Sequence, residues 1–65
     1  MNPISNLRML RLIQGISQFQ LAKQAGISAS RLSYLERSIE LPREDEKKRI
    51  AKALGVRPEE IWSDK

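Results

Sequence analysis

The chain has 65 residues, carries a formal net charge of +4, and contains neither Cys nor His. A chain of this length buries only about 60% of the surface its unfolded form exposes, so each element must contribute to one small core. The missing Cys and His exclude a disulfide framework and the usual structural zinc sites, and no cofactor site is expected. Met1 is followed by Pro3, Ser5, Asn6 and Arg8 without a long apolar run, so the reading includes neither a signal peptide nor a membrane span. A cytoplasmic location is the default expectation, with residues 1–65 as a single domain.

The charge is unevenly distributed. Residues 1–38 carry Arg8, Arg11, Lys23, Arg31 and Arg37 against Glu36 alone, whereas the cations and acids of residues 39–65 cancel. Two readings fit a basic half: ordinary solubilising charge, or an electrostatic footprint for phosphates.

A first helix is expected from about Pro3 to Gln14, with Asn2 as N-cap, Pro3 at its first position and Gly15 closing it. Ile4, Leu7, Leu10 and Arg11 share one of its faces. The second helix starts at a well-specified signal, the S-x-x-Q capping box of Ser17 and Gln20, with Ile16 placed to staple onto Leu21. Ser28 repeats the device for a third helix from about Ala29 to Arg37, with Ile27 placed to staple onto Leu32.

Between these two helices the stretch SQFQLAKQAGISASRLSYLE, Ser17 to Glu36, reads as a helix-turn-helix. Leu21, Ala25, Ile27, Leu32 and Leu35 supply apolar contacts, Ala22 allows close approach of the second helix, and Gly26 permits the positive φ that reverses the chain. Burial of Leu32 and Leu35 leaves Ala29, Ser30, Ser33, Tyr34 and Arg37 on the opposite, exposed face.

A fourth helix is expected from Pro42 or Arg43 to Leu54, stopped by Gly55, with Ile50, Ala51 and Leu54 inward. Its acids, Glu44, Asp45 and Glu46, precede its cations, which suits the helix dipole and predicts pairs such as Glu44 with Lys48 and Asp45 with Arg49. A short fifth helix runs from Pro58 to about Trp62, with Val56 placed to staple onto Ile61. The fold class is therefore all-α, a compact five-helix bundle.

The ordered set of motifs resembles the Cro/repressor-like, or Xre, helix-turn-helix family. The resemblance rests on L-x-x-L-R at Leu7, Leu10 and Arg11; G-I-S-Q at Gly15 to Gln18; L-A-x-x-x-G-I-S at Leu21 to Ser28; L-x-x-L-E at Leu32 to Glu36; and I-A-K-A-L-G-V at Ile50 to Val56. It implies a phage-repressor-like bundle in which the third helix enters the major groove while the second crosses the backbone. By position in the family motif, Ala29, Ser30 and Tyr34 match base-contacting sites, with Ser33 adjacent and Ser28 at the cap. Arg31 and Arg37 match positions for phosphates or bases, Arg31 being suited to bidentate recognition of guanine or to a phosphate contact. Gln18 matches an amide that grips a phosphate together with the helix N-terminus. Arg11 and Glu36 match a partly buried ion pair that joins the first helix to the third.

The sequence departs from that pattern after Glu36, where Ser38 replaces a common glycine and Glu40 adds repulsion toward DNA, with Arg43 placed to compensate. Glu44 and Lys47 stand where the family buries apolar residues, which suggests an open or partner-covered edge. Met9, Leu12, Ile13, Ile39 and Leu41 either enlarge the core or form a patch for a subunit or protein partner. Trp62 poses the same choice between covering the core and lying at a two-fold interface.

The expected function is a sequence-specific DNA-binding transcriptional regulator, a repressor or Cro-like switch, acting as a homodimer on a two-fold operator in double-stranded DNA. An autoregulating antitoxin is a close variant, and a partner-binding module that keeps the fold but binds DNA weakly is the alternative. An enzyme is not expected: the only acid–base groups are carboxylates placed as helix-dipole partners.

Overall fold

A computed structural model describes residues 5–62, which form five α-helices: α1 (Asn6–Ile13), α2 (Gln18–Ala25), α3 (Ala29–Glu36), α4 (Glu44–Leu54) and α5 (Pro58–Ile61). No strand occurs among the described residues. α2 is the centre of the packing, lying against both α4 and α3, while α4 and α1 each pack on α5. Leu7, Leu21, Leu32 and Ile50, one from each of the four longer helices, are fully buried, and Ala22, Ala25, Leu35, Ala51, Leu54 and Ile61 complete the core. Burial of each such leucine or isoleucine contributes about 1.5–3 kcal/mol, so every helix is anchored by at least one large side chain.

The first helix starts later than the sequence suggests. Ser5 is its N-cap, with extended backbone and a side chain that accepts a hydrogen bond from the Arg8 N–H. A serine three residues before a free N–H ends the helix there, because the cap requires non-helical φ and ψ. Asn2, Pro3 and Ile4 lie outside the described residues. Ser17 with Gln20, and Ser28, cap α2 and α3 as the sequence predicts, and Ile16 and Ile27 pack half-buried against the core.

α2 ends in a reversal built on Gly26, which has φ +74°; its N–H reaches the Lys23 carbonyl and the Ile27 N–H reaches that of Ala22. α3 ends in the same pattern, the Ser38 N–H reaching Leu35 and the Ile39 N–H reaching Tyr34. There the left-handed position is held by Ser38 at φ +61°, the one non-glycine with positive φ among the described residues. The departure from glycine changed the cost of this turn and left its geometry in place.

Two side chains hold α1 against the far end of the bundle. The Gln14 amide donates to the Leu54 carbonyl at 2.7 Å, satisfying an acceptor that the end of α4 leaves open, and Asn6 donates to the Ile61 carbonyl at 3.5 Å. Asp45 pairs with Arg49 at 2.8 Å as expected, but Glu44 pairs with Lys47 at 3.4 Å rather than with Lys48. The edge at Glu44 and Lys47 is open, forming a cleft of ≈ 440 Å³ with Asn6, Leu41, Pro42, Ile61 and Trp62. Trp62 is half-buried and packs on the core.

Candidate nucleic-acid interface

The helix-turn-helix unit is fixed from behind by a buried ion pair. Arg11 of α1 donates through Nε to Glu36 Oε2 at 2.6 Å and through Nη2 to Oε1 at 3.1 Å, and its Nη1 donates to the Ile16 carbonyl. Arg11 and Glu36 are both buried, at 8% and 4% exposure. A forked pair with its remaining donors satisfied tolerates such burial, and among the described residues no buried side-chain polar atom lacks a partner. The pair clamps the last turn of α3 to α1 and so sets the angle at which α3 is presented.

Gln18 joins this network. Its amide nitrogen donates to Glu36 Oε1 at 3.0 Å, so the amide expected to face outward is turned inward as a donor. At the start of α2, Ser17 accepts the N–H of Gln20, while the N–H groups of Gln18 and Phe19 precede the first helical bond and point out of the helix end.

Along α3 the predicted outward residues separate into two groups. Ser30, Tyr34 and Arg37 are exposed and share one stripe at i, i+4 and i+7. Ala29 and Ser33, expected on the same face, are half-buried, and Ala29 packs against the core. They lie to one side of the stripe, where α3 turns toward its neighbours. The Arg37 guanidinium carbon stacks 5.5 Å from the Tyr34 ring centroid, and Arg37 Nε reaches the Ser33 carbonyl at 3.5 Å. The pair pre-orders one cation and one aromatic at the exposed end of the helix. Ser28 is exposed but already accepts the Arg31 N–H at 3.0 Å, which leaves its hydroxyl hydrogen free to donate.

Arg31 is the largest departure from expectation. Its Nε and Nη2 each donate to Glu46 at 2.9 Å, Nη1 pairs with Glu40, and Nη2 also approaches the Leu41 carbonyl at 3.4 Å. The guanidinium expected to reach guanine or phosphate is thus occupied by two carboxylates, with its side chain 25% exposed. The hydrogen bonds from Arg31 hold the Glu46 carboxyl down at about 2, and Glu46 with Glu40 raises Arg31 in turn. Glu46 is 3% exposed and also accepts the Arg43 N–H at 2.8 Å, which caps α4. This residue was missed as a structural centre. The signal was available, since Glu46 stands four residues before buried Ile50 and therefore on the inward row of α4. Arg43 is exposed at the start of α4.

The exposed apolar side chains sit apart from the stripe in sequence: Met9, Leu12 and Ile13 on the outer face of α1, and Ile39 and Leu41 in the loop between α3 and α4. They do not enlarge the core. Phe19, at the start of α2, is exposed as well and belongs with them as an unexpected surface hydrophobe.

A helix-turn-helix family model matches residues 7–61, nearly the whole described chain. The chain belongs to the helix-turn-helix family. Solved structures agree with that assignment. The restriction-modification controller protein C.AhdI from Aeromonas hydrophila is 32% identical with TM-score 0.83, covering 86% of this chain and 85% of its own. The N-terminal DNA-binding domain of SinR from Bacillus subtilis is 27% identical with TM-score 0.82, covering 91% and 87%. The P22 c2 repressor, solved in complex with a synthetic operator, is 27% identical with TM-score 0.82, covering 92% and 94%. A search of curated protein sequences finds no match. The helix-turn-helix of this family is α2, the Gly26 turn and α3 in the present chain, with the Arg11–Glu36 pair behind it.

Proposed function

We propose that this DNA-binding transcriptional regulator, a non-enzymatic protein, lays α3 in the major groove as a homodimer on a two-fold operator and acts as a repressor. The observation that carries the reading is the two-sidedness of α3: Leu32, Leu35 and Glu36 are buried, while Ser30, Tyr34 and Arg37 form an exposed stripe. A helix rigidly anchored on one face and lined by small polar, aromatic and cationic side chains on the other fits a groove about 12 Å wide. Likeness to a repressor solved on its operator supports the same geometry.

On this reading Ser30 reaches base edges, Ser28 and Tyr34 offer hydroxyl donors, and Arg37 meets a phosphate or a base. Ala29 and Ser33 border the groove and contribute shape and a methyl contact. The free N–H groups at the start of α2, beside Gln18, and the exposed Arg43 take up phosphates on either flank. Two such chains, each with extents of 28 × 22 × 21 Å, fit side by side on half-sites one helical turn, ~34 Å, apart. No helix among the described residues is long and apolar enough to cross a membrane, and a cytoplasmic location accords with a duplex ligand.

The exposure of Met9, Leu12, Ile13, Ile39 and Leu41 supports a second reading, in which a protein partner docks there. Amide chemical shifts recorded during titration with a mixed-sequence duplex separate the two. The DNA reading expects changes at Gln18, Ser28 to Arg37 and Arg43; a protein unaffected by duplex at low salt overturns it.

A further inference from the structure

Arg31 has more acid around it than its charge requires. Glu46 already engages Nε and Nη2 at 2.9 Å each, a fork-on-fork pair in which the carboxylate is buried. Yet Nη1 also faces Glu40, whose side chain is 51% exposed and has no other ion-pair partner among the described residues. The two acids play different parts. Glu46 fixes the plane of the guanidinium from inside the fold, so the remaining edge keeps one direction. Glu40 comes from the irregular segment between α3 and α4, where its side chain is free to swing into solvent.

The outer edge borders the exposed stripe of α3. Arg31 lies three residues before Tyr34, so it is displaced by about 60° around the helix axis and sits one row over. A duplex laid along Ser30, Tyr34 and Arg37 carries its phosphates at the margins of that stripe. There Arg31 offers a pre-oriented cation edge, and the group on that edge is a carboxylate, the protein's own nearest equivalent of a phosphate oxygen.

We propose that the Nη1 edge of Arg31 is a phosphate-binding site in which Glu40 is a resident competitor, so that Glu40 sets the affinity of the domain for duplex. This rests on α3 being the groove helix. When DNA docks, a phosphate oxygen replaces the Glu40 carboxylate on Nη1, Glu40 turns to solvent, and the inner pair with Glu46 stays intact. The exchange gives back much of what the phosphate contact gains and leaves a negative charge near the backbone. The wild-type domain is held below the affinity its cations would otherwise support.

Glu40→Gln tests this by titration of a fluorescent mixed-sequence duplex at low salt. The expected result is a gain of roughly three- to tenfold in affinity. Glu44→Gln, which removes an equal charge from a side chain 84% exposed and paired with Lys47 instead, gains less than about twofold. In an Arg31→Lys background the Glu40→Gln gain disappears, because the ammonium is a single point charge committed to Glu46. Independently of any variant, the Glu40 side-chain carboxyl carbon resonance of the wild-type protein moves toward that of a free carboxylate as duplex saturates. Equal gains from the two Gln variants, a gain that survives in the Lys background, or an unmoved Glu40 resonance at saturation each overturn the proposal. Wild type and Glu40→Gln both failing to bind duplex at low salt would instead overturn the DNA reading on which it stands.

Discussion

Replacing Glu46 by Gln isolates the contribution of a buried carboxylate that the fold depends on. The substitution keeps shape and an acceptor oxygen for the Arg43 N–H, but removes the charge that engages Arg31. Hydrogen bonding to Arg31 is the main cause that takes the Glu46 carboxyl from 4.5 to about 2, with the Arg43 N–H and the nearby cations assisting against the opposing effect of burial. A folded-state value below the unfolded one stabilises the protein above the unfolded value and ceases to do so as pH falls through the folded value. The contribution is therefore complete at pH 7, declines from about pH 5, and is gone near pH 2. Each unit corresponds to about 1.4 kcal/mol, so Glu46→Gln costs about 3 kcal/mol at pH 7 and less than half of that at pH 3. For a domain of this size that is a fall in Tm of roughly 10–20 °C at neutral pH. Thermal melts followed by circular dichroism between pH 7 and pH 3 measure both parts. A variant melting within about 2 °C of wild type at pH 7, or a gap that fails to narrow on acidification, would refute the reasoning.

Three further outcomes follow from the same geometry. Ser38→Gly relieves a left-handed backbone that costs an L-residue about 1–2 kcal/mol, offset by the greater freedom of glycine in the unfolded chain, and should raise stability by roughly 0.5–1 kcal/mol in urea denaturation. Ser38→Ala keeps the Cβ and should show no such gain. Arg11→Ala strands Glu36, 4% exposed, without its forked partner and should cost about 3–5 kcal/mol, enough to leave much of the protein unfolded at 25 °C. Arg37→Ala removes an exposed cation stacked on Tyr34; stability should change by less than about 0.5 kcal/mol, while duplex affinity falls on every sequence tested and the salt slope drops by about 1.

The helices and their buried positions were legible because they depend on local signals. Serine caps, glycine reversals and the i, i+3, i+4 rows of Leu21, Leu32, Leu35, Ile50 and Leu54 each act within a few residues. The Arg11–Glu36 pair was legible only through family resemblance, since it spans 25 positions. The site was less legible for the same physical reason. Whether Arg31 faces a phosphate or an acid depends on Glu46, 15 residues away on another helix, and on the path of the loop bearing Glu40. Ala29 and Ser33 were misplaced because helical spacing gives the centre of an exposed face but leaves its margins to the neighbouring elements. The start of α1 moved because Ser5 is a stronger cap than the proline signal before it.

The central claim is that the exposed stripe of α3 and its flanking cations bind duplex DNA. Fluorescence titration of the wild-type protein with a mixed-sequence duplex across a range of salt concentrations tests it most directly. With Arg37 and Arg43 meeting phosphates in both copies of a dimer, the logarithm of the association constant should fall linearly with the logarithm of salt, with a slope of about −4. Absence of binding at low salt, or binding that salt leaves unchanged, would contradict the account.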